Sequence, residues 1–290
     1  MNKSRCFILV LTLATLAGFA TSAQQVNEPE NTNANWSRPY PPFRLVGNVY
    51  YVGSYDLACY FIVTSEGNIL INTGLAASAS MIKGNIESLG FDFADTKILL
   101  TTQAHYDHVA ALAEIKRLTG ARMMADQNDA GALSDGGRSD YELGKYGITF
   151  APIEVDEKLN DGDTITLGST RIVMLHHPGH TKGSCSYILD VTDEKKVYKV
   201  IIANLPSIIT DRKFSEISAY PGIANDYAYS LNALKGLSFD LWFSSHASQF
   251  GLHTKYKPGD GYHPELFADR KGYDKAVDDL RIQFMKKMEE

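Results

Sequence analysis

Gln103-Ala104-His105-Tyr106-Asp107-His108 follows the apolar run Ile98-Leu99-Leu100 after two threonines and precedes a segment of helical spacing, Val109 to Leu118. Two imidazoles and a carboxylate thus fall within four positions of a strand-to-helix turn. Imidazole nitrogen and carboxylate oxygen are ligands Zn²⁺ takes in hydrolytic sites. Two distant histidines complete the set: His180 in Pro178-Gly179-His180-Thr181 and His246 in Ser244-Ser245-His246-Ala247, each after an apolar strand-like segment. Three ligand-bearing turns at three strand ends describe a metal site assembled by the fold. At such a turn His105 can face one centre with His180, while Asp107 and His108 face a second with His246. Two metals about 3.5–4 Å apart are a common hydrolytic arrangement.

Outward from this motif the chain alternates strand and helix signals. Val46 to Val52, Cys59 to Thr64 and Asn68 to Asn72 are rich in Val, Ile and Tyr and broken by Gly-containing turns. Ala76 to Leu89 has helical spacing and stops at Gly90. Ile98 to Thr102 and Ala121 to Ala125 read as strands, and residues 134–147, with Gly136-Gly137, as a surface loop. A second β-rich stretch covers Thr164 to Leu167, Arg171 to His176, Ser184 to Asp190 and Val197 to Ala203. Asp226 to Leu237 is expected to be helical, Asp240 to Ser244 a strand, and Tyr273 to Met288 a charged amphipathic helix. This β-then-α/β layout, met twice, predicts sheets covered by helices, with ligands in a crevice off strand ends.

The N-terminus has a basic start, Met1 to Arg5, an apolar run from Cys6 to Ala20, and the small-residue end Thr21-Ser22-Ala23. These are the parts of a secretory signal peptide over 1–23, cleaved near Ala23. The run falls short of the roughly 20 residues that span a bilayer. Periplasmic export and a single domain over 24–290 follow as expectations, with 24–42, polar and Pro-rich, as an extended arm. Loss of 1–23 removes Lys3 and Arg5 and no acid, moving the formal charge from −6 to −8. That balance disfavours a nucleic-acid partner, which calls for a Lys/Arg field. After cleavage no membrane contact is expected, and a monomer is the default. Cys59 and Cys185 lie in apolar strands and read as buried free thiols.

The set of motifs resembles the metallo-β-lactamase superfamily, whose usual pattern is His-x-His-x-Asp-His, from about Val46 to the last helix. Gly179-His180-Thr181-Lys182-Gly183-Ser184 resembles the third subclass of class B β-lactamases. Gln103 at the first motif position is similar to the GOB-type group, as are Tyr55-Asp56-Leu57, Gly137 to Gly147, His176 to Ser186 and Ser244 to Phe250. The resemblance implies an αββα sandwich, two mixed sheets flanked by helices with a metal cleft at one edge. It implies zinc, one or two per chain, held by Gln103, His105 and His180 and by Asp107, His108 and His246. The second trio is the more complete, because an amide oxygen is a weaker ligand than imidazole. It implies hydrolysis of the amide of penicillins, cephalosporins and carbapenems by a metal-bound hydroxide that Asp107 orients, conferring antibiotic resistance. Ser207, Lys182 and Tyr141 are candidate substrate contacts.

Other residues read more plainly. His176 and His177 are expected to pack near the site, His253 and His263 to be solvated, and Asp56 to hold a ligand histidine. Ile202-Ala203-Asn204-Leu205-Pro206-Ser207 carries no bridging carboxylate. Two alternatives stand beside the β-lactamase reading: another hydrolase of this fold, a lactonase or thioesterase, or a periplasmic zinc-binding protein without turnover. No Gly-x-Ser-x-Gly elbow or Ser-x-x-Lys motif precedes a helix in the manner of enzymes with a serine nucleophile.

Overall fold

The structure, a computed structural model, describes residues 26–30 and 32–290; the signal-peptide segment lies outside them. Twelve named strands form two sheets. β1 (Phe43–Val46), β2 (Val49–Tyr51), β3 (Tyr60–Thr64), β4 (Gly67–Ile71), β5 (Thr96–Leu100), β6 (Arg122–Asp126) and β7 (Glu157–Leu159) lie in chain order in the first. Its first four strands are an antiparallel meander, and β4 to β7 pair in parallel. The second runs β12 (Leu241–Ser244), β11 (Lys196–Ala203), β10 (Cys185–Asp193), β9 (Thr170–His176), β8 (Thr164–Leu167). It is antiparallel except where β12 joins β11.

Alternation along the strands builds the layers. Ile69 and Ile71 of β4, with Ile98 and Leu100 of β5, share one buried cluster with Ile172, Met174, Tyr187, Leu189, Val200 and Ile202 of the second sheet. Leu70 and Leu99, one residue out of phase, point to the opposite face and pack with Ile82 and Ile86 of α2 (Ser78–Ser88) and Leu112 and Ile115 of α4 (Leu112–Thr119). Burial on both faces is why these strands read as unbroken apolar runs. On the outer side of the second sheet, Leu234 of α6 (Ile223–Lys235) and Tyr273 and Val277 of α8 (Arg270–Met288) pack around Leu241 and Trp242. The architecture is the expected αββα sandwich.

Several local expectations change. The strand expected over Val46 to Val52 is the hairpin β1–β2, turning at Gly47 with φ +51°. β7, short and charged, carries little apolar signal and was not expected. The helix after the hexapeptide is two, α3 (Tyr106–Val109) and α4. The arm is not merely extended. It contains the turn α1 (Ala34–Ser37), Asn27 bridges Thr149, and the Glu28 carboxylate accepts the Ala76 N–H at 2.7 Å. Residues 134–147 are not a surface loop throughout, since Gly136, Gly137, Tyr141 and Glu142 are buried. Cys59 and Cys185 are free and buried. Among the described residues no helix is long and apolar enough to cross a membrane.

Candidate metal centre

The hexapeptide leaves the end of β5, Gly179-His180 follows β9, and His246 follows β12. Because both sheets end at the same edge of the sandwich, the three turns converge. An isolated bridge pairs Leu57 with His246 across the seam, and Thr102 Oγ1 and Ser245 Oγ hydrogen-bond at 2.9 Å. A cleft of about 230 Å³ opens there, its lining including Trp36, Gln103, His105, Asp107, His180, Leu205, Ser207 and His246.

Asp107, His108 and His246 place one ligand atom each within 4.8 Å of one another. Asp107 Oδ2 lies 3.2 Å from His108 Nε2 and 3.5 Å from His246 Nε2. Zn–N and Zn–O bonds of about 2.0–2.1 Å put tetrahedral neighbours roughly 3.3 Å apart, so these separations suit a common cation. His246 is held from behind: its Nδ1 is 3.2 Å from Asp56 Oδ2, which turns Nε2 toward Asp107. Asp56 also accepts from Trp36 Nε1 at 3.1 Å and from the Ser248 N–H at 2.9 Å. His108 is fully buried, and neither ring nitrogen makes a hydrogen bond.

The other trio shows the same signature. His105 Nε2 faces Asp140 Oδ2 at 3.1 Å, and His180 Nδ1 donates to the Ser207 carbonyl at 2.7 Å. Those outer partners leave His105 Nδ1 and His180 Nε2 turned toward each other, 3.1 Å apart. Two lone pairs at that distance repel unless a proton or a metal cation lies with them. Gln103 Oε1, also buried, has no hydrogen-bond partner, an unmet acceptor that a cation would satisfy.

The electrostatics agree. Burial works against a charged His246, yet Asp107 and Asp56 outweigh it and push its pKa up to about 9. Burial likewise opposes the Asp107 carboxylate, but His108 and His246 hold it well below the usual range. Burial and the neighbouring His105 push His180 down to about 3. The Asp107–His246 side of the cleft therefore favours positive charge, and the His180 ring stays neutral, as a ligand must.

Local sequence explains the turns. Gly179 has φ +128°, and a Cβ there would meet the Tyr227 ring at 2.9–3.1 Å. Tyr227 in turn donates to the Ser207 carbonyl that holds His180. Gly179→Ala is expected to cost roughly 2–4 kcal/mol of stability from backbone strain and overpacking. Urea unfolding of the metal-free protein measures it, and a loss below about 1 kcal/mol would contradict the strain argument.

Of the three candidate substrate contacts, Ser207 lines the cleft. Tyr141 does not; it is buried against Tyr220 in a neighbouring cluster. Lys182 is exposed, its ammonium 5.7 Å from the centre of the Tyr220 ring, and is not among the lining residues. His176 pairs with Asp126 at 2.6 Å and His177 with Ser186 at 2.7 Å, as packing residues should. His253 is only partly exposed: it stacks on Tyr55 at 3.7 Å between ring centres and hydrogen-bonds the Tyr55 carbonyl at 2.6 Å.

Three participants escaped the sequence reading. Asp140 sits in the stretch taken for a surface loop. Asp129 accepts from Ala104 N (2.9 Å), Thr181 Oγ1 (2.7 Å) and Gly183 N (2.7 Å), joining two ligand turns; burial pushes its pKa up to about 6 in spite of them. Trp36 walls the cleft from the arm. A tryptophan in a polar arm, one of two in the chain, was the only signal available.

Residues 57–193 match the profile described as the metallo-beta-lactamase superfamily. The chain is 61% identical to the class B3 di-zinc metallo-beta-lactamase LRA-12 from an Alaskan soil metagenome, covering 91% of this chain and 100% of that one at a TM-score of 0.89. It is 55% identical to the metallo-beta-lactamase GOB-18 from Elizabethkingia meningoseptica, over 92% of this chain and 99% of that one, at a TM-score of 0.91. A hydroxyacylglutathione hydrolase of Bradyrhizobium sp. (strain BTAi1 / ATCC BAA-1182) is 30% identical over 143 residues, 47% of this chain and 48% of that protein. The chain spans about half the length of the curated relatives it matches.

Proposed function

This chain belongs to the metallo-beta-lactamase superfamily, and we propose that it is a zinc-dependent β-lactamase, opening the cyclic amide of penicillins, cephalosporins and carbapenems. The observation that carries the reading is the convergence of Asp107 Oδ2 with the Nε2 atoms of His108 and His246, beside the facing nitrogens of His105 and His180. In this proposal Asp107, His108 and His246 hold one zinc, and Gln103, His105 and His180 a second. Zinc supplies Lewis-acid polarisation of a carbonyl and makes water acidic enough to attack near neutral pH.

The chain's own groups do the rest. Asp107, kept ionised by its two histidines, accepts an O–H from the attacking water and so orients it. Asp56 and Asp140 fix which nitrogen of His246 and His105 faces inward. Trp36 and Leu205 give the cleft apolar walls, and the Ser207 hydroxyl is the candidate donor to the substrate's carboxylate. Taken with the N-terminal signal over 1–23, the proposal places the enzyme in the periplasm, where it would confer β-lactam resistance, as a monomer without nucleic-acid or membrane partners.

A thioesterase reading draws on the hydroxyacylglutathione hydrolase likeness. Against it, the stretch Ile202 to Ser207, which would carry a bridging carboxylate, holds none, and the Asn204 amide within it donates to the Thr102 carbonyl at 3.1 Å. One experiment separates the two. Purified mature protein is assayed in the ultraviolet with a carbapenem, a cephalosporin and a glutathione thioester, before chelation, after it, and after zinc return. β-Lactam turnover should vanish with chelator and return with zinc. Turnover that persists in protein shown to be metal-free, or zinc-loaded protein that cleaves only the thioester, overturns the proposal.

A further inference from the structure

The two groups that hold His105 and His180 from behind sit on different loops. Asp140 belongs to the loop after α5 (Ala130–Asp135), and its other oxygen, Oδ1, accepts the N–H groups of Glu142 at 2.9 Å and Leu143 at 2.6 Å. Asp140 is therefore rigid with respect to that loop's backbone. The Ser207 carbonyl belongs to the segment after β11, and Tyr227 Oη donates to it at 2.9 Å. Nothing in either hydrogen bond sets the distance between the two rings.

Arg212 does. One branch of its guanidinium donates to Glu142 Oε2 and to the Tyr141 carbonyl, each at 2.9 Å, and its own N–H is anchored on Thr210 Oγ1 at 3.2 Å. Glu142 is 3% exposed and also pairs with Lys145. A charge so buried gains from a fixed partner geometry, because screening by water is weak there. Arg212 neither lines the cleft nor touches a candidate ligand.

We propose that the Arg212–Glu142 pair is a clamp that positions His105 and His180 by locking the Asp140 loop to the Ser207 segment, and so sets the zinc affinity of the Gln103–His105–His180 trio. With neither a proton nor a metal cation between them the facing nitrogens repel, so loops free to part would let the rings separate. Metal binding must then restore the separation from its own binding energy, the usual cost of lost preorganisation. The inference rests on the reading that this trio holds zinc.

Zinc titration of metal-free full-length mature protein against a fluorescent chelator resolves the affinities of the two sites. Arg212→Met leaves Glu142 its Lys145 partner, so the buried charge is not stranded. Its trio should lose about 10–100-fold in zinc affinity, the usual effect of removing outer support, with the Asp107–His108–His246 affinity unchanged. Arg212→Lys should recover part of the loss, and Glu142→Gln should reproduce it. In the metal-free protein, the His105 Nε2–H proton resonance should lose its exchange protection in Arg212→Met. Wild-type affinities at both sites in folded Arg212→Met, or equal losses at both, overturn the clamp. His105→Ala serves as the control. If it changes neither zinc affinity, the site assignment fails and the clamp with it; if it removes one while Arg212→Met matches wild type, only the clamp fails.

Discussion

Asp107→Ala should abolish nearly all β-lactam turnover while leaving a folded protein. Asp107 supplies the only carboxylate among the six candidate ligands, and its Oδ2 is the atom that both His108 and His246 approach. Without it the trio keeps only two imidazole rings, and nothing remains to orient the attacking water. Electrostatic and metal assistance of this kind contributes several kcal/mol of transition-state stabilisation, which converts to about a 10³-fold fall in kcat/KM at about 1.36 kcal/mol per decade. The fold should survive, because the substitution removes a buried charge whose partners are the site histidines. Steady-state kinetics with zinc in excess, alongside circular dichroism, test this. A folded variant with turnover within about tenfold of wild type would remove Asp107 from the chemistry.

Asp129→Ala should be the most damaging change to stability. Its carboxylate serves three donors from segments far apart in sequence: Ala104 N between the first two ligands, and Thr181 Oγ1 and Gly183 N just after His180. The two segments approach so closely that Gly183 admits no side chain, since a Cβ there would meet Asp129 N at 2.4 Å. Truncation strands two buried N–H groups, while Thr181 Oγ1 retains Ser184 Oγ at 2.8 Å. Each unmet buried donor costs about 1–3 kcal/mol, so the total is roughly 3–5 kcal/mol with the lost charge-assisted bonds included. Asp129→Asn keeps one acceptor oxygen and should lose about half as much. Urea unfolding of the metal-free protein separates this effect from metal binding. A loss under about 1 kcal/mol for Asp129→Ala would show that the two turns hold their shape without it.

The parts of this protein legible in the sequence are those written in local pattern. The runs Ile98-Leu99-Leu100 and Asn68 to Ile71 announce strands buried on both faces. Gly90 and Gly120 end helices as helix-stop signals do, Gly120 with φ +69°. Where local signal is thin, the reading slipped. The residues from Phe43 to Tyr51 form a hairpin around Gly47, β7 is three residues of an edge strand, and the polar arm carries a turn whose Trp36 reaches the cleft.

The sequence by itself determined the ligand chemistry: two imidazoles and a carboxylate on one turn, two further imidazoles after strand-like runs, and an amide in place of a third imidazole on the first turn. It also determined sheets covered by helices, because strand and helix patterns are properties of neighbouring residues, while the sandwich itself followed from the resemblance that the motifs carry. Only the tertiary structure decided which nitrogen of each ring faces the cleft and which groups enforce it. Asp56 lies 190 residues from His246, Asp140 35 from His105, Ser207 27 from His180 and Asp129 54 from Gly183. A hydrogen bond depends on distance and angle after folding, and a lone Asp in a turn-rich stretch looks the same whether it meets water or a buried imidazole. Packing the two sheets face to face, with their strand ends at one edge, is what turned those solvated-looking acids into the outer walls of a metal site.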